Sequence, residues 1–332
     1  MNAEQRVALL VRLGTYMQGN DADWQEAQQR AQAENNWFIP EFIQLSVNNI
    51  AQRFLQHDVL KKLVQDYDIP SETPHPKEVG IVLAGNIPLV GFHDVLCTFM
   101  AGHHARVKPS SKDTALIKHL FGKLAEWDAK AAAYLQLKDL LKGCDAYIAT
   151  GGNNTARYFE YYFRNHASII RRARTSIAVL TGTETAAELE GLADDVHQYF
   201  GLGCRNVTLV YVPKEYDFVP LLEAFKKYSY FSNHNKYKNN YDYNLAVHLL
   251  NNKYYMTNGT TLVIENATPF SPISQLHYQC YTDVKEVEAS LLNNDAIQCV
   301  VGKGGLPFGT AQCPGLTDFA DGVDTMAFLK SL

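Results

Sequence analysis

From Val79 to about Val301, short runs of β-branched and aliphatic residues alternate with longer stretches of helical periodicity. Such alternation builds mainly parallel sheets with right-handed crossovers, and it is the strongest constraint this chain carries on its fold. Strands are expected at Val79–Ala84, His104–Lys108, Ala146–Ala149, Ser176–Leu180, Val207–Val212, Thr261–Glu265, Gln275–Tyr281 and Ile297–Val301. Helices are expected up to Ala101, from a Ser110-Ser111-Lys112-Asp113 cap to Trp127, after Gly152, and over Glu184–Phe200, Val219–Lys226, Leu245–Leu250 and Val284–Leu292. The Tyr- and Asn-rich segment 228–258 is otherwise read as irregular. In sheets of this kind ligands bind beyond the carboxyl ends of the strands, beside helix N-termini.

The first 68 residues have a different rhythm. Val7, Leu10, Val11 and Tyr16 form one helical face, and Phe42, Leu45, Ile50 and Phe54 another. Pro70, Pro74 and Pro76 then rule out regular helix or inner strand over Ile69–Lys77, which reads as a linker. At 332 residues the chain is long enough for two lobes. A net charge of −5 without a basic block argues against nucleic acid as a partner. Six cysteines occur, none in a CxxC pair or with zinc spacing, and no apolar stretch reads as a signal peptide or membrane span. The expected compartment is the cytoplasm, where thiols stay reduced.

Four turns stand out. Phe200-Gly201-Leu202-Gly203-Cys204-Arg205-Asn206 joins a helix to a β-branched strand, so its glycines permit a sharp turn and Cys204 sits at a rigid edge. Converging backbone N–H groups there would favour the thiolate; the plainer role for a cysteine is that of a small buried hydrophobe. Gly85-Asn86, Lys108-Pro109-Ser110-Ser111 and Thr150-Gly151-Gly152 each follow a strand and precede a helix, a favourable setting for phosphate. Each is also an ordinary strand-to-helix loop, and neither G-x-G-x-x-G nor Walker A is present.

The order of these motifs resembles the aldehyde dehydrogenase superfamily: Ala84-Gly85-Asn86-Ile87-Pro88-Leu89, then Lys108-Pro109-Ser110, Thr150-Gly151-Gly152, and Gly201-Leu202-Gly203-Cys204. Phe270-Ser271-Pro272 looks like the family's Phe-Gly-Pro turn and Pro307-Phe308-Gly309 like its Pro-Phe-Gly loop. The likeness covers about residues 78–315 and is greatest to the acyl-CoA reductases related to the fatty-acid reductase subunit of bacterial luminescence; the N-terminal helices fall outside it. The resemblance implies an aldehyde-dehydrogenase-like α/β fold of two lobes with mainly parallel sheets. The expected divisions are an N-terminal helical segment at 1–70, a nicotinamide-cofactor domain at 71–183, a catalytic domain at 184–315 and a C-terminal tail at 316–332.

It also implies a reaction. The Cys204 thiolate attacks an acyl-CoA or acyl-carrier thioester, and hydride from NADPH, with NADH as the alternative, takes the acyl-enzyme to the aldehyde. Asn86 and the Cys204 N–H would hold the oxyanion. Lys108 would reach the cofactor ribose and Ser110 and Ser111 its phosphate-bearing end. Gly85, Thr150, Gly151 and Gly152 would line the cofactor, and Phe270 would pack by the nicotinamide. Family members that favour the non-phosphorylated cofactor commonly carry a glutamate three residues after the lysine; Ser111 stands there, and Arg106 or Lys112 would attract a 2′-phosphate. Hydrolytic relatives carry a Glu-Leu-Gly-Gly stretch whose glutamate activates water. No carboxylate occurs here between Asn165 and Thr183, so water attack on an acyl-enzyme should be slow. His248 and His277 are candidate proton donors, while Cys97, Cys144, Cys280 and Cys299 read as core. The alternatives are an acyl-phosphate reductase, an acyl-transferring thiol enzyme, or a non-catalytic nucleotide-binding scaffold. Assembly into a homo-oligomer is left open.

Overall fold

The computed structural model describes residues 1–291 and 294–332, and the chain divides into two compact units. Unit 1 comprises Met1–Ala173 and Pro314–Leu332, and unit 2 comprises Arg174–Cys313.

Unit 1 opens with α1 (Ala3–Met17), α2 (Ala22–Glu34), α3 (Pro40–Arg53) and α4 (His57–Asp66). Their starts are written locally: Asn2 and Gln5 form a capping box on α1, Asp21 caps α2, and Pro40 occupies the first turn of α3. Leu10, Leu13, Met17, Trp24, Phe38, Ile43 and Val47 are buried in one core with the sheet helices. The helical segment is therefore part of the packed unit, not an appendage to it.

The αβ part runs β1 (Glu78–Val82), α5 (Phe92–Met100), β2 (His104–Lys108), α6 (Ala115–Trp127), α7 (Ala131–Tyr134), β3 (Leu135–Leu137), β4 (Ala146–Thr150), α8 (Asn153–Phe163) and β5 (Ala167–Arg171). The sheet order is β3-β2-β1-β4-β5, with every pairing parallel. β1, β2 and β4 are adjacent, so their carboxyl ends bring three of the motif turns to one sheet edge. α7, β3 and β5 were not expected from the sequence; β3 has only three residues and β5 carries Arg171 among its buried positions.

Unit 2 runs β6 (Thr175–Val179), α9 (Ala186–His197), a 3₁₀ turn Gln198–Gly201, β7 (Val207–Pro213), α10 (Val219–Ala224), a 3₁₀ stretch Phe225–Asn233 and α11 (Asn235–Leu250). It continues with β8 (Met256–Thr257), β9 (Leu262–Glu265), β10 (Gln275–Tyr281), α12 (Val284–Leu291) and β11 (Ile297–Gly302). The order is β11-β6-β7-β10-β9-β8, parallel except for the β8–β9 pair. α11 corrects the expectation of irregular chain: it spans 16 residues, starting where His234 caps the Tyr237 N–H. Its exposed Tyr and Asn residues conceal the period by which Tyr237, Asn244 and His248 are buried. The expected end of α12 at Leu292 lies outside the described residues. α13 (Thr325–Lys330) returns to unit 1 and buries Met326 and Leu329 in its core.

No helix among the described residues is long and apolar enough to cross a membrane. No group of three or more metal-ligating side chains occurs among them.

Candidate active site

The Cys204 turn in unit 2 is made by backbone constraint and one asparagine. Tyr199 and Phe200 have φ of 56° and 58°, and Gly201 follows at 74°, so three consecutive residues are left-handed. Only the glycine adopts this without cost; each of the others forfeits on the order of 1 kcal/mol. Burial of both aromatic rings offsets that, with Phe200 against Phe231 and His234. Asn206, fully buried, ties the turn together. Its Oδ1 accepts from the Gly203 N–H at 2.8 Å, and its Nδ2 donates to the carbonyls of Asp195, Val196 and Gln198. Ser176 on β6 donates from Oγ to the Cys204 carbonyl at 3.0 Å. Cys204 itself is half-buried at the head of β7.

The Pro307-Phe308-Gly309 loop packs against the same helix. Buried Asp195 accepts from the Gly309 N–H at 2.7 Å and the Ala311 N–H at 2.9 Å, while Arg205 donates to the Ala311 carbonyl at 3.2 Å. Gly191 permits this approach, because a Cβ there would lie 2.9 Å from the Phe308 carbonyl carbon. Burial raises the Asp195 carboxyl to about 6, against the two N–H bonds that lower it.

Phe270 lies in unit 2 on an exposed turn held at both sides: Thr208 donates to the Pro269 carbonyl, and Ser271 Oγ donates to the Gln275 carbonyl at 2.7 Å. His277 bonds through Nδ1 to the Thr268 carbonyl at 2.7 Å, and burial, with His248 nearby, lowers its pKa. His248 is buried with its Nδ1 unpartnered. Burial therefore favours the neutral ring at His277. Two of the expected core thiols are corrected: Cys280, near the carboxyl end of β10, is exposed, and Cys299 is half-buried against Ser176 Oγ at 3.1 Å. Cys97 and Cys144 are buried.

In unit 1, the Asn86, Ser110 and Gly151 turns share the carboxyl edge of β1, β2 and β4. Gly85 is buried with Asn86 exposed beside it. A Cβ on Gly85 would lie 2.5 Å from Ser110 Oγ and 2.7 Å from Ser110 Cβ, so these two turns pack directly. Lys108, Ser111 and Lys112 are exposed and Ser110 half-buried. The expected serine cap is corrected: α6 starts at Ala115, and Ser110 Oγ instead accepts from the Lys112 N–H at 3.2 Å. A tight turn, closed by the Asp113 N–H on the Ser110 carbonyl, takes up the residues the sequence assigned to the cap.

Thr150 ends β4 and is half-buried, with Gly151 beside it; Gly152 caps α8 without a side-chain bond to the helix N–H groups. Apart from its neighbours along the chain, no atom among the described residues lies within 4 Å of where a Gly152 Cβ would stand, so the backbone here is open to a ligand. An open, uncapped helix start together with exposed Lys108 fits the anionic part of a dinucleotide. Arg106 is already engaged: Glu78 takes its guanidinium in an ion pair, and its Nη1 donates to the Ala133 carbonyl.

The sequence reading missed four residues that set these turns: Asn206, Asp195, Asp113 and Ser46. Asn206 had no ordinary Asx-turn signal, since its Oδ1 reaches back three residues to the Gly203 N–H and not two residues on.

A family model described as acyl-CoA reductase (LuxC) matches residues 26–224, more than half of the chain, a span that includes Asn86, Lys108, Gly151 and Cys204. No curated protein matches the chain by sequence. Among solved structures, it is similar to the indole-3-acetaldehyde dehydrogenase AldA of P. syringae, a mutant in complex with NAD+ and IAA: TM-score 0.65 at 12% identity, over 91% of this chain and 72% of that one. It is also similar to aldehyde dehydrogenase 21 of Physcomitrella patens in complex with the reaction product succinate, with TM-score 0.67 at 14% identity over 91% and 74%. An aldehyde dehydrogenase from Bacillus cereus in an NAD+ complex gives 0.65 at 13%, over 91% and 72%. At these identities the likeness is one of fold.

Proposed function

We propose, for a chain that belongs to the acyl-CoA reductase (LuxC) family and has the aldehyde dehydrogenase fold, that it is an oxidoreductase reducing an acyl-CoA or acyl-carrier thioester to the aldehyde through Cys204. The observation that carries the reading is the Cys204 turn. It is half-exposed, preset by Asn206 and Ser176, and set at the start of a strand. Preset geometry suits a nucleophile because the entropy of orienting it is already lost on folding.

The Cys204 thiolate attacks the thioester carbonyl, a C–S bond forms to the enzyme, and the substrate thiol leaves with a proton. The Asn86 side-chain amide and the Cys204 backbone N–H are the donors this reading assigns to the developing oxyanion. A reduced nicotinamide, the class of cofactor bound in the NAD+ complexes of AldA and the Bacillus cereus enzyme, would supply hydride to the acyl carbon when bound. Lys108, Ser110, Ser111, Gly85, Thr150, Gly151 and Gly152 would hold that cofactor, with Phe270 packed on its reactive ring. The absence of a glutamate at Ser111 and the exposure of Lys112 favour NADPH; with Arg106 occupied by Glu78, Lys112 is the cation left for the 2′-phosphate. Between Asn165 and Thr183 no carboxylate is available to activate water, so the acyl-enzyme outlasts hydrolysis until it is reduced.

The test is a nicotinamide absorbance assay with short- and long-chain acyl-CoA. The wild type oxidises NADPH in the presence of thioester and forms aldehyde, and Cys204→Ala does neither. Equal rates for both proteins would reject the assignment.

A further inference from the structure

The Asn86 turn is held from outside itself. Leu89, three residues on, is left-handed at φ 55°, and its N–H donates to Asp113 Oδ2 at 2.6 Å. The carbonyl of Pro88 accepts from Ser46 Oγ on α3 at 2.7 Å. Asp113 is 6% exposed and Ser46 7%, so both bonds form away from water, where an unmet backbone group is costly. Asp113 belongs to the turn that carries Ser110 and Ser111, and Asn35, just beyond α2, donates to the Lys112 carbonyl of that turn at 3.2 Å.

Asp113 is expensive to keep. Its Oδ1 is buried without a partner, it forms no ion pair among the described residues, and Glu34 at the end of α2 adds a like charge. A buried carboxyl costs stability unless something repays it. One short bond to one backbone N–H is all this one has.

We propose that Asp113, with Ser46, is a positioning residue for the oxyanion donor: it fixes the Leu89 N–H from within the Ser110 turn, so that the aim of the Asn86 amide and the shape of the cofactor-side turn are set together. This rests on Asn86 being the oxyanion donor. The close packing of Gly85 on Ser110 transmits the coupling, because neither turn can shift without the other.

The experiment is a double-mutant cycle on the full chain, read as kcat and as KM for acyl-CoA, with hydrogen–deuterium exchange of the peptide covering Gly85–Leu89 measured alongside. Asn86→Ala is expected to lower kcat about a hundredfold. Asp113→Ala is expected to lower kcat at least tenfold with KM for acyl-CoA little changed, since a displaced donor weakens the transition state more than the bound substrate. In the Asn86→Ala background the same substitution should change kcat less than about twofold, because the group it aims is gone. Asp113→Asn retains an oxygen acceptor for Leu89 and should keep kcat within about threefold of wild type. Exchange of the Gly85–Leu89 peptide should speed up in Asp113→Ala and not in Asp113→Asn. If Asp113→Ala does not fold, Ser46→Ala replaces it in the cycle with the same expected pattern.

Wild-type kcat in Asp113→Ala, an equal loss in both backgrounds, or unchanged exchange would each overturn the inference. If Asn86→Ala itself leaves kcat intact, the oxyanion assignment fails instead. The exchange data then still report whether Asp113 holds the turn.

Discussion

The turns bearing Cys204 and Asn86 solve the same problem in opposite ways. The Cys204 turn is built largely by its own neighbourhood: Asn206 lies two residues on and reaches back only to Asp195. The Asn86 turn is built by residues distant in sequence, Ser46 before it and Asp113 after it. A turn held locally keeps its shape as long as its own strand and helix are folded. One held at a distance depends on the N-terminal helices and on the neighbouring turn. The N-terminal helices, expected to fall outside the likeness, in fact lie largely within the family match, which begins at residue 26, and through Ser46 they do structural work at a motif of it.

The sharpest way to break this contrast is Asn206→Ala, which leaves the Gly203 N–H and three buried carbonyls without their partner. The expected loss is about 3–5 kcal/mol in urea unfolding, with faster alkylation of Cys204 by iodoacetamide as the turn loosens. A loss under about 1 kcal/mol would mean that the turn holds its shape without Asn206.

The next largest effect comes from Asp195. Its folded value of about 6 lies above the ordinary value of 3.8, so the folded state binds the proton more tightly than the unfolded chain. The resulting stability is fully present below pH 4 and is lost as pH rises through 6, a change of about 3 kcal/mol. Asp195→Asn should remove that component from stability measured between pH 4 and 8. Asp113, raised to about 7 by burial, adds a component of the same sign centred higher, which Asp113→Asn should remove separately. An unchanged pH profile in either variant would contradict these assignments.

Gly85→Ala separates the two packed turns of unit 1, because the added carbon would overlap Ser110. It should raise KM for the nicotinamide cofactor about tenfold, equivalent to about 1.4 kcal/mol. The smallest effect is that of Ser176→Ala, which removes one bond to the Cys204 carbonyl; about 1 kcal/mol and a rate change of a few-fold are expected.

The same contrast explains what could be read from the sequence. Strands such as His104–Lys108 and Gln275–Tyr281 stand in the structure with the residues expected, because short runs bounded by turn residues carry their own signal. The family resemblance drawn from the turn motifs agrees with the family match and the fold. β3 and β5 escaped notice: Leu135–Leu137 is too short to show a period, and Ala167–Arg171 sits among arginines. The Ser110-Ser111 pair suits a cap and a tight turn equally, and packing against Gly85 decides for the turn. Asp113 and Ser46 gave no local sign, since their partners lie 24 and 42 residues away.

The account stands on the sulfur of Cys204 becoming acylated. Intact-mass spectrometry of the protein mixed with acyl-CoA, without nicotinamide, tests this directly. The wild type should gain the mass of one acyl group and lose it on adding NADPH as aldehyde appears, while Cys204→Ala gains nothing. An adduct of equal yield in Cys204→Ala, or none on the wild type under conditions where it turns over, would contradict it.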